Sequence, residues 1–177
     1  GRFNSVCFVY RDSLYVFGGT DNSSNMNEIV RYDLSTQNSG EWTTIAKVNE
    51  ANQRGGVAFV VEDKVYAGLG EKSNGIRNGF YVSSDSLTKW ELIPSIPAQL
   101  GVISSGVYDE QKKSFFMIDN DGKIWEYNLT TEQWTSRSLW IRMKNYHMFM
   151  LDGSIYILGQ DIYQKNKFTV YNPIWDN

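Results

Sequence analysis

The side chains that most often carry catalysis or bind metals are sparse in this sequence. The 177 residues contain one cysteine, Cys7, and one histidine, His147. A single cysteine permits no internal disulfide and no thiolate metal cluster, and a single histidine excludes any site that needs two imidazoles from this chain. Because Cys7 lies inside the apolar run Val6–Tyr10, we predict that it is a buried small hydrophobic residue rather than a reactive thiol.

The segment Asp119–Gly122 (Asp-Asn-Asp-Gly) resembles part of a calcium-binding loop, but its flanks do not fit one. Aligning Gly122 with the invariant glycine of such a loop places Met117 at the first ligand position and Asn128 at the bidentate position, and neither supplies a carboxylate. A tight turn between two strands is predicted instead, with Asp-Gly supplying positive φ. Asp152-Gly153 is interpreted in the same way.

Glycine-rich segments elsewhere also fail on spacing. Residues 68–73 lack the last glycine of a dinucleotide fingerprint, and no helix is predicted after them. Residues 101–106 have the wrong spacing for a nucleophile elbow. We therefore predict no catalytic residue, no cofactor and no metal.

The composition is that of an ordinary soluble globular protein. Hydrophobic residues make up 41% and charged residues 21%, and 17 basic against 20 acidic residues give a net charge of −3. No basic cluster provides the electrostatic surface that nucleic acid binding needs. The longest apolar runs hold about five residues, far fewer than the roughly 20 of a membrane-spanning helix. Nucleic acid partners and a membrane span are therefore not expected.

Aromatic residues make up 15% of the chain and recur at regular intervals. One pattern, an apolar strand, a turn, a second strand, a polar loop, a third strand and then a tryptophan, occurs four times, at about residues 2–49, 50–97, 98–140 and 141–177. Its anchors are Tyr15, Tyr66, Phe116 and Tyr156, followed in the same order by Trp42, Trp90, Trp134 and Trp175. A repeat of about 40–50 residues with about four short strands is typical of one antiparallel propeller blade.

The first unit resembles a kelch repeat. It combines an aromatic and aliphatic strand that ends in Gly-Gly (residues 14–19), the element Arg31-Tyr32-Asp33, and Trp42. The later units depart from this pattern, with Gly68-Leu69-Gly70, Ile118-Asp119 and Leu158-Gly159-Gln160 at the place of the glycine doublet. The resemblance implies an all-β kelch-type β-propeller, or a four-blade portion of one, in which each blade is a four-stranded antiparallel sheet.

Four units raise the question of how the propeller closes. Kelch propellers are usually rings of six or seven blades, so the resemblance implies a single propeller-type domain that is part of a larger propeller. A closed four-bladed ring and the pairing of two chains are the alternatives. An open arc would leave apolar faces exposed, and self-association is then expected.

The resemblance implies a non-catalytic binding module that recognises a protein or a carbohydrate through the loops at one face of the propeller. In kelch propellers, an arginine at the start of the innermost strand often points to the channel mouth, and Arg54 fits that place best. Arg2, Arg142 and Lys144 lie in comparable segments, and together these cations would suit a carboxylate-bearing partner. Tyr146 and His147 beside them could stack on a sugar ring or pack inside the blade.

Two enzymatic alternatives follow from the same resemblance. A galactose oxidase-like site needs two histidines, which this chain does not have. A carbohydrate-active enzyme of the sialic acid mutarotase type stays open, although no set of carboxylates and arginines stands out in the sequence.

Three further predictions concern the repeat tryptophans, glycosylation and the location of the protein. Trp42, Trp90 and Trp134 are interpreted as packing residues within blades. The triplets Asn22-Ser23-Ser24 and Asn128-Leu129-Thr130 match glycosylation acceptors. Polar loops rich in asparagine, serine and aromatic residues favour a secreted, periplasmic or cell-surface location over a cytoplasmic one.

Overall fold

The computed structural model describes residues 1–21, 23–33, 41–84, 86–140, 142–161 and 163–172, without the side chains of residues 138–140. Antiparallel strands dominate this part of the chain, and one short 3-10 helix interrupts them at Asn49–Ala51. The chain divides into two compact units, Gly1–Pro94 and Ser95–Asn177. The predicted all-β architecture is confirmed.

The first unit contains two four-stranded sheets, in each of which the strands follow one another in chain order. The strands of the first sheet are β1 (Val6–Tyr10), β2 (Ser13–Phe17), β3 (Glu28–Asp33) and β4 (Trp42–Lys47). Those of the second sheet are β5 (Val57–Val61), β6 (Lys64–Gly68), β7 (Phe80–Ser83) and β8 (Glu91–Leu92).

The second unit contains a four-stranded sheet and a three-stranded sheet with the same meander order. The strands of the third sheet are β9 (Ile103–Asp109), β10 (Ser114–Asp119), β11 (Lys123–Asn128) and β12 (Gln133–Trp140). Those of the fourth sheet are β13 (Lys144–Leu151), β14 (Ser154–Gln160) and β15 (Asn166–Tyr171). Trp175, the anchor of the fourth repeat, lies outside the described residues.

Alternation of side chains along the strands builds an apolar core cluster in each unit. In the first unit, alternate residues of β1 and β2, among them Phe8, Tyr15 and Phe17, pack with Val65 and Ala67 of the second sheet. In the second unit, Phe116 and Ile118 of β10 pack with Met148, Ile155 and Ile157 of the fourth sheet. Because successive side chains of a strand point to opposite faces, each sheet can bury one apolar face against its neighbour. Each buried large side chain contributes about 1.5–3 kcal/mol to the free energy of folding.

The same alternation makes the prediction for Cys7 wrong. Val6, Phe8 and Tyr10 are buried, whereas Cys7, between two of them on β1, points to the opposite face and is exposed. An apolar run does not show which of its residues face the core, because only the packing of the strand decides that.

The tight turns are confirmed. Gly122 has a φ of 84° and its N–H donates to the Asp119 carbonyl over 2.9 Å. The buried Asp119 carboxylate accepts bonds from the backbone of Asp121 and Lys123 and from the indole of Trp125. Its oxygens therefore brace the β10–β11 turn. Asp152 and Gly153 both have positive φ, as a hairpin turn of this type requires.

The repeat tryptophans differ in how deeply they pack. Trp90 meets Phe17 edge-on at 5.1 Å between ring centroids, and Trp134 packs on Tyr127 at 4.8 Å. Trp42 contacts Tyr32 at 5.4 Å, yet half of its surface is exposed. The predicted packing role thus holds for Trp90 and Trp134, whereas Trp42 lies on an open face of the first sheet.

A buried amide pair joins three chain segments of the first unit. Gln53 and Asn78 are fully buried and hydrogen bonded to each other through Asn78 Nδ2 and Gln53 Oε1 at 3.0 Å. Gln53 Oε1 also accepts from Gly70 N, and its backbone carbonyl accepts from Gly19 N. Asn78 Nδ2 donates to the carbonyl of Glu50 at 2.7 Å. This pair holds the β2–β3, β4–β5 and β6–β7 connections in place.

Replacing Asn78 by alanine should therefore lower the free energy of unfolding by about 2–4 kcal/mol, because buried polar partners lose their hydrogen bonds. Urea unfolding followed by fluorescence measures the change. Asn166→Ala, at an exposed asparagine of β15, is the matched control. Equal midpoints for the two variants would contradict the bracing role of the amide pair.

Candidate ligand-binding site

Arg54 lies on the surface of the first unit and is held by Glu71. Arg54 and Glu71 exchange two backbone hydrogen bonds of 2.9 Å. Their side chains form two further bonds, Nε to Oε2 at 3.2 Å and Nη2 to Oε1 at 3.0 Å. This hydrogen bonding and the charge of Glu71 raise the pKa of Arg54 above its ordinary value. A planar guanidinium and a carboxylate are thus fixed side by side at the start of the second sheet.

Arg54 lies just before the innermost strand of its sheet rather than at its first residue. β5 begins only at Val57, since Gly55 and Gly56 have φ of 65° and 95°. A Cβ on Gly56 would lie 2.3 Å from the carbonyl oxygen of Gly68. The glycine pair therefore bends the chain before β5 and leaves Arg54 in an isolated bridge at the strand end.

Arg2 occupies a different position from Arg54. Its guanidinium donates to Glu28 at 2.9 Å and to the carbonyl of Gly18 at 3.2 Å, and Lys47 also contacts Glu28 at 3.2 Å. Phe3, not Arg2, forms the backbone bridge with Thr20 that corresponds to the Arg54–Glu71 bridge. Arg2 therefore braces the ends of β2 and β3.

Two loop side chains that the sequence did not predict, Arg77 and Asn25, lie next to Glu71. Arg77 is half-buried, its Nη1 donates to the carbonyl of Asn78 at 3.0 Å, and desolvation lowers its pKa. Asn25 donates to the carbonyl of Glu71 at 2.9 Å and so ties the β2–β3 loop to the β6–β7 loop. The sequence signal for both was their place in polar loops directly after the second strand of a repeat.

A shallow, open groove of about 340 Å³, which we call the polar groove because its lining residues are polar, lies at this end of the first unit. Its lining residues are Asn49, Asn52, Lys72, Ser73 and Asn74. Asn49 and Asn52 belong to the β4–β5 connection, and the other three belong to the loop that follows Glu71.

Internal hydrogen bonds shape the loop side of this groove. Gly75 N donates to the carbonyl of Lys72 and Lys72 N to that of Ile76, both over 2.9 Å. Asn74 Oδ1 accepts from Ile76 N at 3.1 Å. A ligand would therefore meet a loop that is already ordered.

The other four predicted site residues lie in the second unit. Arg142, Lys144 and His147 are exposed. Lys144 pairs with Gln160 across β13 and β14, which is the position that Arg54 takes in its own repeat. His147 borders a shallow pocket of about 370 Å³ together with Asn145, Leu158, Gly159, Gln160, Asn166 and Lys167.

Tyr146 is buried in the core of the second unit. Its hydroxyl accepts a hydrogen bond from Met143 N at 3.1 Å. Burial, with a smaller contribution from the charges of Asp119 and Asp121, raises its pKa above the ordinary value of 10.0. The ring of Tyr146 thus packs inside the unit, while its neighbour His147 faces outwards.

The amide of Asn128 has a structural role. Its Nδ2 donates to the Lys112 carbonyl and to Ser114 Oγ, and its Oδ1 accepts from Thr130 N and Thr131 N, both at 2.9 Å. These bonds indicate that the Asn128 side chain stabilises the turn rather than carries a glycan. The other triplet begins at Asn22, which lies outside the described residues.

The described residues hold neither a metal-binding cluster nor a membrane-spanning helix. No group of three or more histidine, cysteine, aspartate or glutamate side chains there is placed to hold a metal ion. No helix in the same part of the chain is long and apolar enough to cross a membrane.

Comparisons with known proteins agree with this architecture. Residues 1–49 match the family model of the kelch motif. No curated protein sequence matches the chain. Among 315 solved chains that match is the one titled "Structure of YjhT", with a TM-score of 0.74 and 15% identity over 99% of this chain and 69% of that one. The resemblance to kelch-repeat propellers is confirmed, and the chain has the all-β fold of a kelch-type propeller.

Because the phenol of Tyr146 is buried, the second unit should lose stability at alkaline pH. The pKa of Tyr146 is higher in the folded than in the unfolded chain, so its contribution is complete below about pH 10 and is lost as the pH rises through the folded value. Near-ultraviolet titration should show late-ionising phenols, among them Tyr81, whose pKa burial also raises, and Tyr146→Phe should remove one of them. Tyr163→Phe, at an exposed tyrosine, should remove none, and loss of a late-ionising phenol in that variant would contradict the assignment.

Proposed function

We propose that this protein is a non-catalytic binding module and that the polar groove of the first unit binds a carbohydrate. The observation that carries the proposal is the groove lining of three asparagines, one serine and one lysine. An amide side chain offers both donors and an acceptor, as does a sugar with its neighbouring hydroxyl groups. A volume of about 340 Å³ falls in the range of small-molecule sites.

Two features of the surroundings support a polar ligand. The loop that supplies Lys72, Ser73 and Asn74 is closed by its own hydrogen bonds, so binding costs little loop ordering. Glu71, which directly precedes Lys72, is paired with Arg54. Lys72 is therefore the cation that lines the groove. An acidic sugar would gain a charge-assisted hydrogen bond from Lys72.

Recognition of a protein is the second candidate, because large apolar side chains are exposed at this end of the unit. Ile76 is 62% exposed in the loop after Glu71, and Phe3 is 48% exposed beside Thr20. Such residues at a polar rim are typical anchors of protein interfaces. The carbohydrate-active enzyme stays an alternative prediction.

A thermal-shift screen against neutral and acidic sugars tests the proposal. A sugar at 100 times its dissociation constant should stabilise the fold by ~2.7 kcal/mol. In calorimetry, Lys72→Ala and Asn49→Ala should each raise the Kd by roughly three- to tenfold, because each removes one hydrogen bond. Lys165→Ala is the matched control, since Lys165 is exposed in the second unit, in the turn between β14 and β15.

The remaining outcomes separate the alternatives. Equal affinity in Lys72→Ala and Lys165→Ala would mean that the sugar binds outside the groove and would refute the site. Absence of binding across the panel, together with a photo-cross-linked protein captured from position 76, would favour protein recognition. Conversion of a bound sugar, followed by NMR, would identify an enzyme.

A further inference from the structure

The loop between β6 and β7 contains the dipeptide Asn-Gly twice, at Asn74-Gly75 and at Asn78-Gly79. Asparagine followed by glycine can lose its side-chain amide without an enzyme, because glycine has no Cβ to hinder the attack of its backbone nitrogen on the asparagine Cγ. Asparagine is accordingly among the thermolabile residues of proteins. The two dipeptides are identical in sequence, so the structure decides whether they differ in reactivity.

The reaction needs water alone as co-reactant. The glycine nitrogen forms a bond to Cγ, the bond between Cγ and Nδ2 breaks, and the amide leaves as ammonia with the proton of the glycine N–H. Water then opens the resulting succinimide ring at one of its two carbonyls. The product is aspartate or isoaspartate, and either one carries a negative charge where the asparagine was neutral.

The structure protects Asn78. Its side chain is fully buried, and Nδ2 donates to the carbonyl of Glu50 at 2.7 Å and to Gln53 Oε1 at 3.0 Å. Its Oδ1 accepts from Gly79 N at 2.9 Å and from the Tyr81 hydroxyl at 3.3 Å. Closing the ring there would break hydrogen bonds that buried groups cannot replace with water. Asn78 therefore reacts only when this part of the chain opens.

Asn74 and Gly75 lie in the exposed part of the same loop. The Oδ1 of Asn74 accepts from Ile76 N at 3.1 Å, and its Nδ2, the group that leaves, makes no hydrogen bond to the described residues. Gly75 has a φ of 78°, and outside the adjoining residues the nearest heavy atom to a Cβ there would be Glu71 Oε1, at 4.0 Å. Solvent and free space thus surround both reacting groups, and one backbone bond, from Gly75 N to the Lys72 carbonyl, must open.

The reactive position belongs to the polar groove. Asn74 lines it together with Lys72 and Ser73 of the same loop. Deamidation replaces a side chain that both donates and accepts hydrogen bonds by one that only accepts them. The new carboxylate stands in the same loop as Lys72 and Glu71, so it repels an anionic ligand and competes with that ligand for Lys72.

We propose that Asn74 is a site of spontaneous deamidation and that this modification lowers the affinity of the polar groove for acidic sugars, whereas Asn78 in the same loop stays intact. The site itself depends only on the local structure of the loop. Its effect on sugar binding rests on the function proposed above. A neutral sugar loses one donor, whereas an acidic sugar also meets a carboxylate, so the loss of affinity is larger for the acidic sugar.

Peptide mapping after incubation of the folded protein in warm, mildly alkaline buffer tests the site. Trypsin cleaves after Lys72, Arg77 and Lys89, so each dipeptide falls in its own peptide. Digestion in heavy-oxygen water marks any deamidation that occurs during the digest itself. Aspartate and isoaspartate should accumulate at position 74 at least about tenfold faster than at position 78, since Asn78 must first open.

The unfolded chain is the control for the peptide map. In urea the two positions should react at similar rates, because the protection of Asn78 comes from the fold. Equal rates at the two positions in the folded protein would overturn the proposal. An intact Asn74 in the folded protein, at a time when the unfolded chain has reacted there, would overturn it as well.

Two substitutions test the effect on the groove. Asn74→Gln retains an amide but reacts far more slowly, because its ring would be larger, and Asn74→Asp carries the charge of the product. Glucuronate and glucose are the probes in calorimetry, since they share one ring and differ in the carboxylate. Asn74→Asp should bind glucuronate at least about threefold more weakly than Asn74→Gln does, with a smaller difference for glucose.

The outcomes of the binding experiment separate the modification from the proposed function. Equal affinity of the two variants for glucuronate would overturn the effect on the groove. If neither probe binds the wild type or a variant while aspartate still accumulates at position 74, the effect on binding is overturned together with the sugar site, whereas the modification site is supported.

Discussion

Every sheet of this protein has two faces that must be covered, and the structure follows from that constraint. Alternating strands place apolar side chains on both sides of a sheet, and a single sheet cannot bury both against itself. The first sheet covers its Phe8–Tyr15 face with the second sheet, and the third covers its Phe116 face with the fourth. Repetition is therefore a physical need, because each added sheet covers one face and exposes another.

Buried polar groups organise the ends of the sheets, where the chain must leave one strand and enter another. In the first unit the amide pair Gln53–Asn78 satisfies backbone groups of three connections at once. Because these groups are buried, they cannot exchange their partners for water without loss of stability. The loops held by this pair carry Arg54, Glu71 and the polar groove, so the candidate site rests on a rigid base.

Much of the fold could be predicted from the sequence, and less of the site. Strand order, turns such as Asp152-Gly153 and the repeat anchors follow from local patterns that do not depend on distant contacts. Arg54 was predicted at a strand end, but its partner Glu71 was not, since 17 residues separate them. The sequence also places Arg2 in a segment comparable to that of Arg54. In the structure, however, the bridging position belongs to Phe3, one residue further along the chain.

The sequence by itself determined the repeat, the antiparallel strands and the class of fold, because hydrophobic alternation and turn residues act over a few neighbouring positions. Only the tertiary structure decided which side of each strand is covered. It buries Tyr146 and exposes Cys7, although both lie in apolar strands. It also pairs each of Arg2 and Arg54 with a glutamate. The physical reason is that burial and ion pairing depend on sheets and loops that meet in space from distant parts of the chain.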